Sequence, residues 1–189
     1  QNNGNSTFVK ITTGLFVTDV SGAWGSSAVD YDKDGNLDIF VANFNTTNNL
    51  YKGKGNSTFT KILTGILVTD PGSSITPVWC DYNNDGNTDL FVANSNFSSG
   101  LANFLYRNDG NGNFTKITSG EIVTDIANST GATWGDIDND GDFDLFVTNY
   151  FNVNNYLYIN NGNSTFTKNT SSVVANDGGS STGSTFGDV

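Results

Sequence analysis

Between Ala23 and Leu63 the chain reads as four short apolar or alternating runs: Ala23 to Val29, Leu37 to Ala42, Leu50 to Lys52 with its flanks, and Phe59 to Leu63. Each is bounded by Gly, Asn and Asp. Runs of this length, rich in β-branched and aromatic residues, predict strands rather than helices. The second run is apolar at successive positions, as a strand covered on both faces should be. It returns further along as L-F-V at 90–92 and again at 145–147. Pro71 and Pro77 are expected outside the three best strands.

The runs belong to an internal repeat. An Asp that opens each acidic loop recurs at positions 30, 81, 136 and 188, with periods of 51, 55 and 52 residues. Within a period most spacings are constant. From Phe8, Phe59, Phe114 and Phe166 to Asp19, Asp70, Asp125 and Asp177 is always eleven residues, and eleven more reach the next loop Asp. Tyr51, Tyr106 and Tyr158 each precede the following Phe by eight. All length variation falls between Asn43, Asn94 or Asn149 and that Tyr, which marks a solvated hairpin loop. The expected division is a partial blade at 1–22, repeats at 23–73, 74–128 and 129–180, and the start of a fourth at 181–189. Four antiparallel strands cannot bury both faces alone, and stacking such units around an axis is the propeller solution. The fold class expected is therefore all-β, with propeller-type blades of four-stranded antiparallel sheets, about three and a half repeats, incomplete or part of a larger assembly.

The loops carry the chemistry. D-I-D-N-D-G-D-F-D places side-chain oxygens of Asp136, Asp138, Asp140 and Asp144 at positions 1, 3, 5 and 9, with Gly141 permitting the turn between them. Asp30, Asp32, Asp34 and Asp38 repeat the spacing around Gly35. Asp81, Asn83, Asp85 and Asp89 repeat it around Gly86, an amide oxygen replacing one carboxylate. Position 7, occupied by Asn36, Asn87 and Asp142, is expected to contribute its backbone carbonyl. Oxygen donors in this number suit Ca²⁺. An Asp/Gly-rich surface turn is the alternative for one loop, but three such turns would not share one spacing. These are not EF-hands: position 12 is Val41, Val92 or Val147 rather than Glu. Three Ca²⁺ sites are expected, with a fourth begun at Asp188.

Composition narrows the function. With 35% apolar and 13% aromatic residues the chain can build a core. The formal charge of −11 and the scattered eight Lys and Arg exclude a nucleic-acid interface. Twelve of the nineteen acidic residues lie in the three loops, so the acidity belongs mostly to the expected sites. No stretch resembles a membrane span. With no His and a single Glu, the usual general bases are missing and no catalysis is expected. Cys80 is expected to be a small buried residue without a disulfide partner.

Trp24, Trp79, Trp134 and Phe186 read as one repeated position, lying six, two, two and two residues before the loop Asp, if Trp24 carries a short insertion; the alternative puts Trp24 on a different face. Packing between blades is the expected use of these rings, and of Tyr51, Tyr106 and Tyr158. Eight N-x-S/T sequons occur, at Asn5, Asn45, Asn56, Asn96, Asn113, Asn128, Asn163 and Asn169, against roughly six expected from composition alone.

The succession D-Y-D-K-D-G-N-L-D-I-F-V-A-N, N-N-L-Y and G-N-S-T-F-T resembles the FG-GAP/VCBS repeat family over essentially the whole chain. The resemblance implies blades like those of integrin α-chain propellers and of many secreted bacterial proteins, in which the Asp loop binds Ca²⁺ and stiffens a hairpin. It assigns ligation to the Asp and Asn positions named above, and it assigns no catalytic residue. Residues 1–8 match Ile159 to Phe166, so the amino end is expected to supply a fourth strand and the carboxyl end a first. The expectation is an ordered part of a longer polypeptide, or a protomer completing its sheet with a neighbour.

The leading expectation is thus a calcium-stabilised extracellular module, secreted or at the cell surface, serving as a scaffold or in adhesion with a protein or glycan partner. One alternative is the protomer of an extracellular fibre, self-assembling through open repeat ends. The other is a lectin-like binder using Phe97, Phe104 and Phe151.

Overall fold

Three four-stranded antiparallel sheets organise the chain in a computed structural model, which describes residues 3–187. The first blade comprises Ala23–Val29, Asp38–Asn43, Asn49–Gly53 and Phe59–Ile62. The second comprises Ser74–Cys80, Asp89–Asn94, Phe104–Gly110 and Asn113–Ile117, and the third Ser129–Gly135, Asp144–Asn149, Tyr156–Asn160 and Phe166–Lys168. In each, the strands lie side by side in chain order, from an inner first strand to an outer fourth. Pro77 falls inside the inner strand of the second blade, opposite Val92. That strand is paired within its sheet on one side only, and the Pro77 ring Cδ faces Gly25 of the first blade, away from its ladder partner.

The core lies between blades. One apolar cluster joins Phe40 and Leu50 of the first blade to Leu90, Val92 and Tyr106 of the second, and another joins Phe91 and Leu105 to Leu145, Val147 and Tyr158 of the third. The second strand of the middle blade, D-L-F-V-A-N, is buried at all six positions, because it alone has a described blade on each side. In the first blade Ile39 and Val41 of the equivalent strand are only half-buried.

Strand register settles the position of Trp24. The shared bulge near the start of each inner strand aligns Trp24 with Ile75 and Thr130, and Ala28 with Trp79 and Trp134. The reading with a short insertion between Trp24 and the loop is therefore replaced by its alternative, a different face. Trp79 packs edge-on against Phe40 of the preceding blade at 6.1 Å, Trp134 against Phe91 at 6.3 Å, and Phe186 lies 6.4 Å from Phe146. The aromatic ring of one repeat thus caps the central-strand Phe of the repeat before it.

Short helical turns precede the blades at Leu15–Thr18, Ile66–Thr69 and Glu121–Thr124. Each follows a glycine with φ near +97°, a conformation that a Cβ would oppose. Each ends at the Asp noted for its constant spacing, and the structure gives that Asp a purpose. Asp19 accepts hydrogen bonds from the Tyr51 hydroxyl (2.6 Å) and from Lys61. Asp70 does so from Tyr106 (2.7 Å) and Lys116 (2.6 Å), and Asp125 from Tyr158 (2.9 Å) and Lys168 (2.7 Å). The staple fastens the entry of a blade to its two outer strands, and its hydrogen bonds from Lys61 and Tyr51 hold the Asp19 carboxyl below the usual range.

At the other end of each sheet, buried asparagines close the hairpin between second and third strands. The backbone N–H groups of Asn43, Asn94 and Asn149 donate to the side-chain oxygens of Asn48, Asn103 and Asn155, all at 2.9 Å. Their own side-chain amides donate to the carbonyls of Thr47, Ala102 and Asn154. Residues 9–14 form no strand, and Phe8 makes only an isolated bridge. Residues 181–187 run along the inner strand of the third blade: Ser181 N–H donates to the Asn149 carbonyl (3.0 Å), and the Thr130 hydroxyl donates to the Ser181 carbonyl (2.7 Å). Asp188 lies outside the described residues.

Candidate metal centres

Each acidic loop joins an inner strand to the second strand, so two sheet-anchored ends fix its span. The turn inside it follows from residue type. A residue with φ near +60°, Lys33, Asn84 or Asn139, sits at position 4, and Gly35, Gly86 or Gly141 with φ of 86–95° at position 6. The position-1 carboxylate organises this turn by accepting the N–H groups of positions 5 and 6. Asp30 does so at 3.0 and 2.9 Å, Asp81 at 3.1 and 2.8 Å, and Asp136 at 3.1 and 3.1 Å.

Position 9 is the most constrained. Asp38, Asp89 and Asp144 are 0–1% exposed. One oxygen of each accepts the position-2 N–H, from Tyr31, Tyr82 or Ile137, and the other accepts a third-strand N–H, from Gly53, Asn108 or Asn160. Burial pushes all three carboxyls up, Asp89 to about 7, against the pull of those N–H donors. Burial makes each of these carboxyls hold its proton more tightly than usual, and a bound cation would offset the same desolvation.

The structure brings one oxygen each of Asp30, Asp32 and Asp38 within 4.8 Å of one another, and likewise of Asp136, Asp138 and Asp144. In the second loop Asn83 stands at position 3, so Asp81 and Asp89 lack a third carboxylate there. The position-5 residues lie outside these triads. Asp34 accepts the N–H of Asn36 (2.9 Å), Asp85 that of Asn87 (2.7 Å) and Asp140 that of Asp142 (2.9 Å). Asp142 also accepts Asn84 Nδ2 at 2.6 Å, tying the third loop to the second.

A hard divalent cation fits this donor set. Every available ligand is an oxygen, and Asp32 Oδ1 is buried with no hydrogen-bond partner among the described residues. Asp30, Asp32 and Asp38, Asp81, Asn83 and Asp89, and Asp136, Asp138 and Asp144 would hold such ions, which would supply positive charge to otherwise repelling carboxylates.

Neighbouring blades also support the loops. Asn108 Nδ2 donates to the Tyr31 carbonyl and Asn160 Nδ2 to the Tyr82 carbonyl, each at 2.8 Å. The sequence marks this bond only by an Asn two residues after Tyr106 and Tyr158, and spacing does not name its partner.

A second feature lies at the opposite end of the inner strands. Trp24, Ile75, Thr76, Phe97, Thr130, Tyr150 and Thr182 line an uncharged cleft of about 490 Å³. Trp24, 57% exposed, packs on Phe97 at 5.0 Å and on Phe44 at 5.6 Å. Phe97 and Phe151 occupy hairpin tips with positive φ, 52° and 65°. Phe104, expected beside them, instead lies in the third strand beneath Lys116, whose ammonium is 3.7 Å from its ring centroid. A strand position beside the buried Tyr106 accounts for the difference.

Among known proteins, a family described as FG-GAP-like repeat matches residues 30–92 and 81–147. Cartilage acidic protein 1 of Mus musculus is 28% identical over 181 residues, covering 92% of this chain and 28% of that protein; its Homo sapiens counterpart is 28% identical over 182 residues. The chain thus spans little more than a quarter of these relatives. A T-cell immunomodulatory protein homolog of Plasmodium yoelii yoelii is 31% identical over 83 residues, 40% of this chain and 12% of that one. Among solved structures, an Agrocybe aegerita lectin described by its recognition of non-reducing terminal N-acetylglucosamine superimposes with a TM-score of 0.53. It is 15% identical, over 86% of this chain and 43% of the lectin, a likeness of fold.

Proposed function

The chain belongs to the FG-GAP-like repeat family, and from that membership we propose that it is a calcium-stabilised, non-catalytic extracellular module that acts as a scaffold or in adhesion. The observation that carries this reading is the repeated loop, in which a buried position-9 carboxylate ties the acidic turn to the third strand while two further carboxylates converge on it. Ion binding would stiffen the edge of each blade, and folding would be linked to calcium. External calcium is concentrated enough for sites of roughly 10⁻⁴ to 10⁻³ M affinity, which supports an extracellular setting. Differential scanning calorimetry with calcium and with chelator tests it. A calcium-dependent rise in the melting midpoint is expected, and an unchanged midpoint would end the reading.

A second reading, glycan binding, is favoured by the uncharged aromatic and hydroxyl cleft around Trp24 and by the fold shared with an N-acetylglucosamine-recognising lectin. Aromatic faces stack on the apolar face of a sugar ring. Titration with N-acetylglucosamine, followed by Trp fluorescence, should perturb a Trp24-containing chain and leave Trp24→Ala silent; no response in either would remove it.

A further inference from the structure

The residue following the third-strand tyrosine differs among the three blades: Lys52, Arg107 and Ile159. In the first blade the Lys52 ammonium lies between two loop carboxylates, contacting Asp32 Oδ2 and lying 3.0 Å from Asp34 Oδ2. In the second, Arg107 is turned away: its Nε and Nη2 both lie 2.8 Å from Asp109 Oδ1, and Asp109 is itself braced by the Thr115 hydroxyl at 2.6 Å. In the third, Ile159 brings no charge to a loop of five carboxylates.

We propose that Lys52 is a built-in cation that competes with calcium at the first loop, making this site weaker than the third. The inference rests on the calcium reading above and adds a ranking to it. The ammonium occupies Oδ2 of both Asp32 and Asp34 and leaves only Asp32 Oδ1 unpartnered among the described residues, so an ion filling the first loop must share these carboxylates with a second cation or displace Lys52. The third loop releases nothing equivalent. Conversely, Lys52 neutralises part of the first loop's charge when calcium is scarce, so that loop stays folded where the third becomes self-repelling. One position in the repeat therefore sets how each loop responds to external calcium.

Gly35 and Gly141, at position 6 of the first and third loops, provide separate reporters. In a calcium titration of the ¹⁵N-labelled chain, the Gly141 amide should shift at lower calcium than Gly35. Lys52→Ile should lower the Gly35 midpoint about tenfold or more and leave that of Gly141 in place. A Gly35 midpoint equal in both proteins would overturn the proposal. Should Lys52→Ile fail to fold, the Lys52 Nζ resonance of the unmodified chain decides. It should move together with Gly35, and an Nζ signal indifferent to the filling of the first loop overturns the proposal equally. If neither glycine responds to calcium in the unmodified chain, the calcium reading itself fails, an outcome distinct from equal midpoints.

Discussion

Asp89 gives a direct measure of the charge stored in the loops. Its side chain is 1% exposed and accepts the N–H groups of Tyr82 (3.2 Å) and Asn108 (2.7 Å), yet burial pushes its carboxyl from 3.8 to about 7. A carboxyl that holds its proton more tightly when folded contributes stability that is complete below pH 3.8 and disappears as pH rises through 7. At 1.36 kcal/mol per pH unit, the gap of about 3 units is worth ~4 kcal/mol, of which ~2 kcal/mol is lost between pH 5 and pH 7. Asp38 and Asp144 are raised by the same cause and add the same sign. Asp19, Asp34 and Asp109 are lowered, by partners that include Lys61, Lys52 and Thr115 respectively. Their contributions are lost only as pH falls below 3.8, so they do not offset the trend in this window. We predict that the chelated chain melts roughly 4–8 °C lower at pH 7 than at pH 5, using the usual conversion for a domain of this size. Saturating calcium should abolish that loss, because the ion replaces the proton. Asp89→Asn cannot titrate and should remove ~2 kcal/mol of the slope. A chelated midpoint that stays level or rises from pH 5 to pH 7 would refute the reasoning.

Four further predictions concern the scaffold. Gly25→Ala should cost ~2 kcal/mol or more in urea unfolding, because a Cβ there would lie 2.2 Å from the Ile75 carbonyl oxygen of the next inner strand; a neutral effect would mean that the strands can separate. Tyr106→Phe should cost ~1–2 kcal/mol by removing the hydroxyl bond to Asp70, and an unchanged denaturation midpoint would dismiss the staple. Cys80, whose thiol burial pushes up to about 12, should resist thiol reagents until the chain unfolds, whereas labelling under native conditions would contradict its placement. In a host that performs N-glycosylation, mass spectrometry should find sugar on the exposed Asn56 and Asn163 turns. It should find none on Asn128, which is 4% exposed and bonded to Ser95 and Ser98.

Much of the architecture was legible because the repeat makes each feature appear three times. Constant spacing located the loops and strands, and alternating glycine and acid named the turns. What spacing could not supply was partnership across the chain. The Tyr51–Asp19 and Tyr106–Asp70 bonds span 32 and 36 residues, and the spacing of Lys61, Lys116 and Lys168, two residues beyond the repeat Phe, does not name their partners. The helical turns at L-F-V-T, I-L-V-T and E-I-V-T escaped because four residues are too few for a helical period, and valine and isoleucine read as strand formers. Trp24 was ambiguous for another reason: its spacing to Asp30 differs from that of Trp79 to Asp81, and only the inter-strand register shows that Ala28 takes the tryptophan position. In the loops, side-chain identity revealed the oxygens but not that position 9 is also a buried clasp.

The asparagine pairs that close each hairpin have a consequence for change. They sit below the segment that varies in length, leaving four, eight and five residues between the paired asparagines in successive blades. Everything beneath that knot keeps its alignment whatever is threaded above it. The tip between Ser95 and Leu101 can therefore lengthen while the ladder below Asn94 and Asn103 keeps its register, so the repeat tolerates change at its rim and conserves one frame.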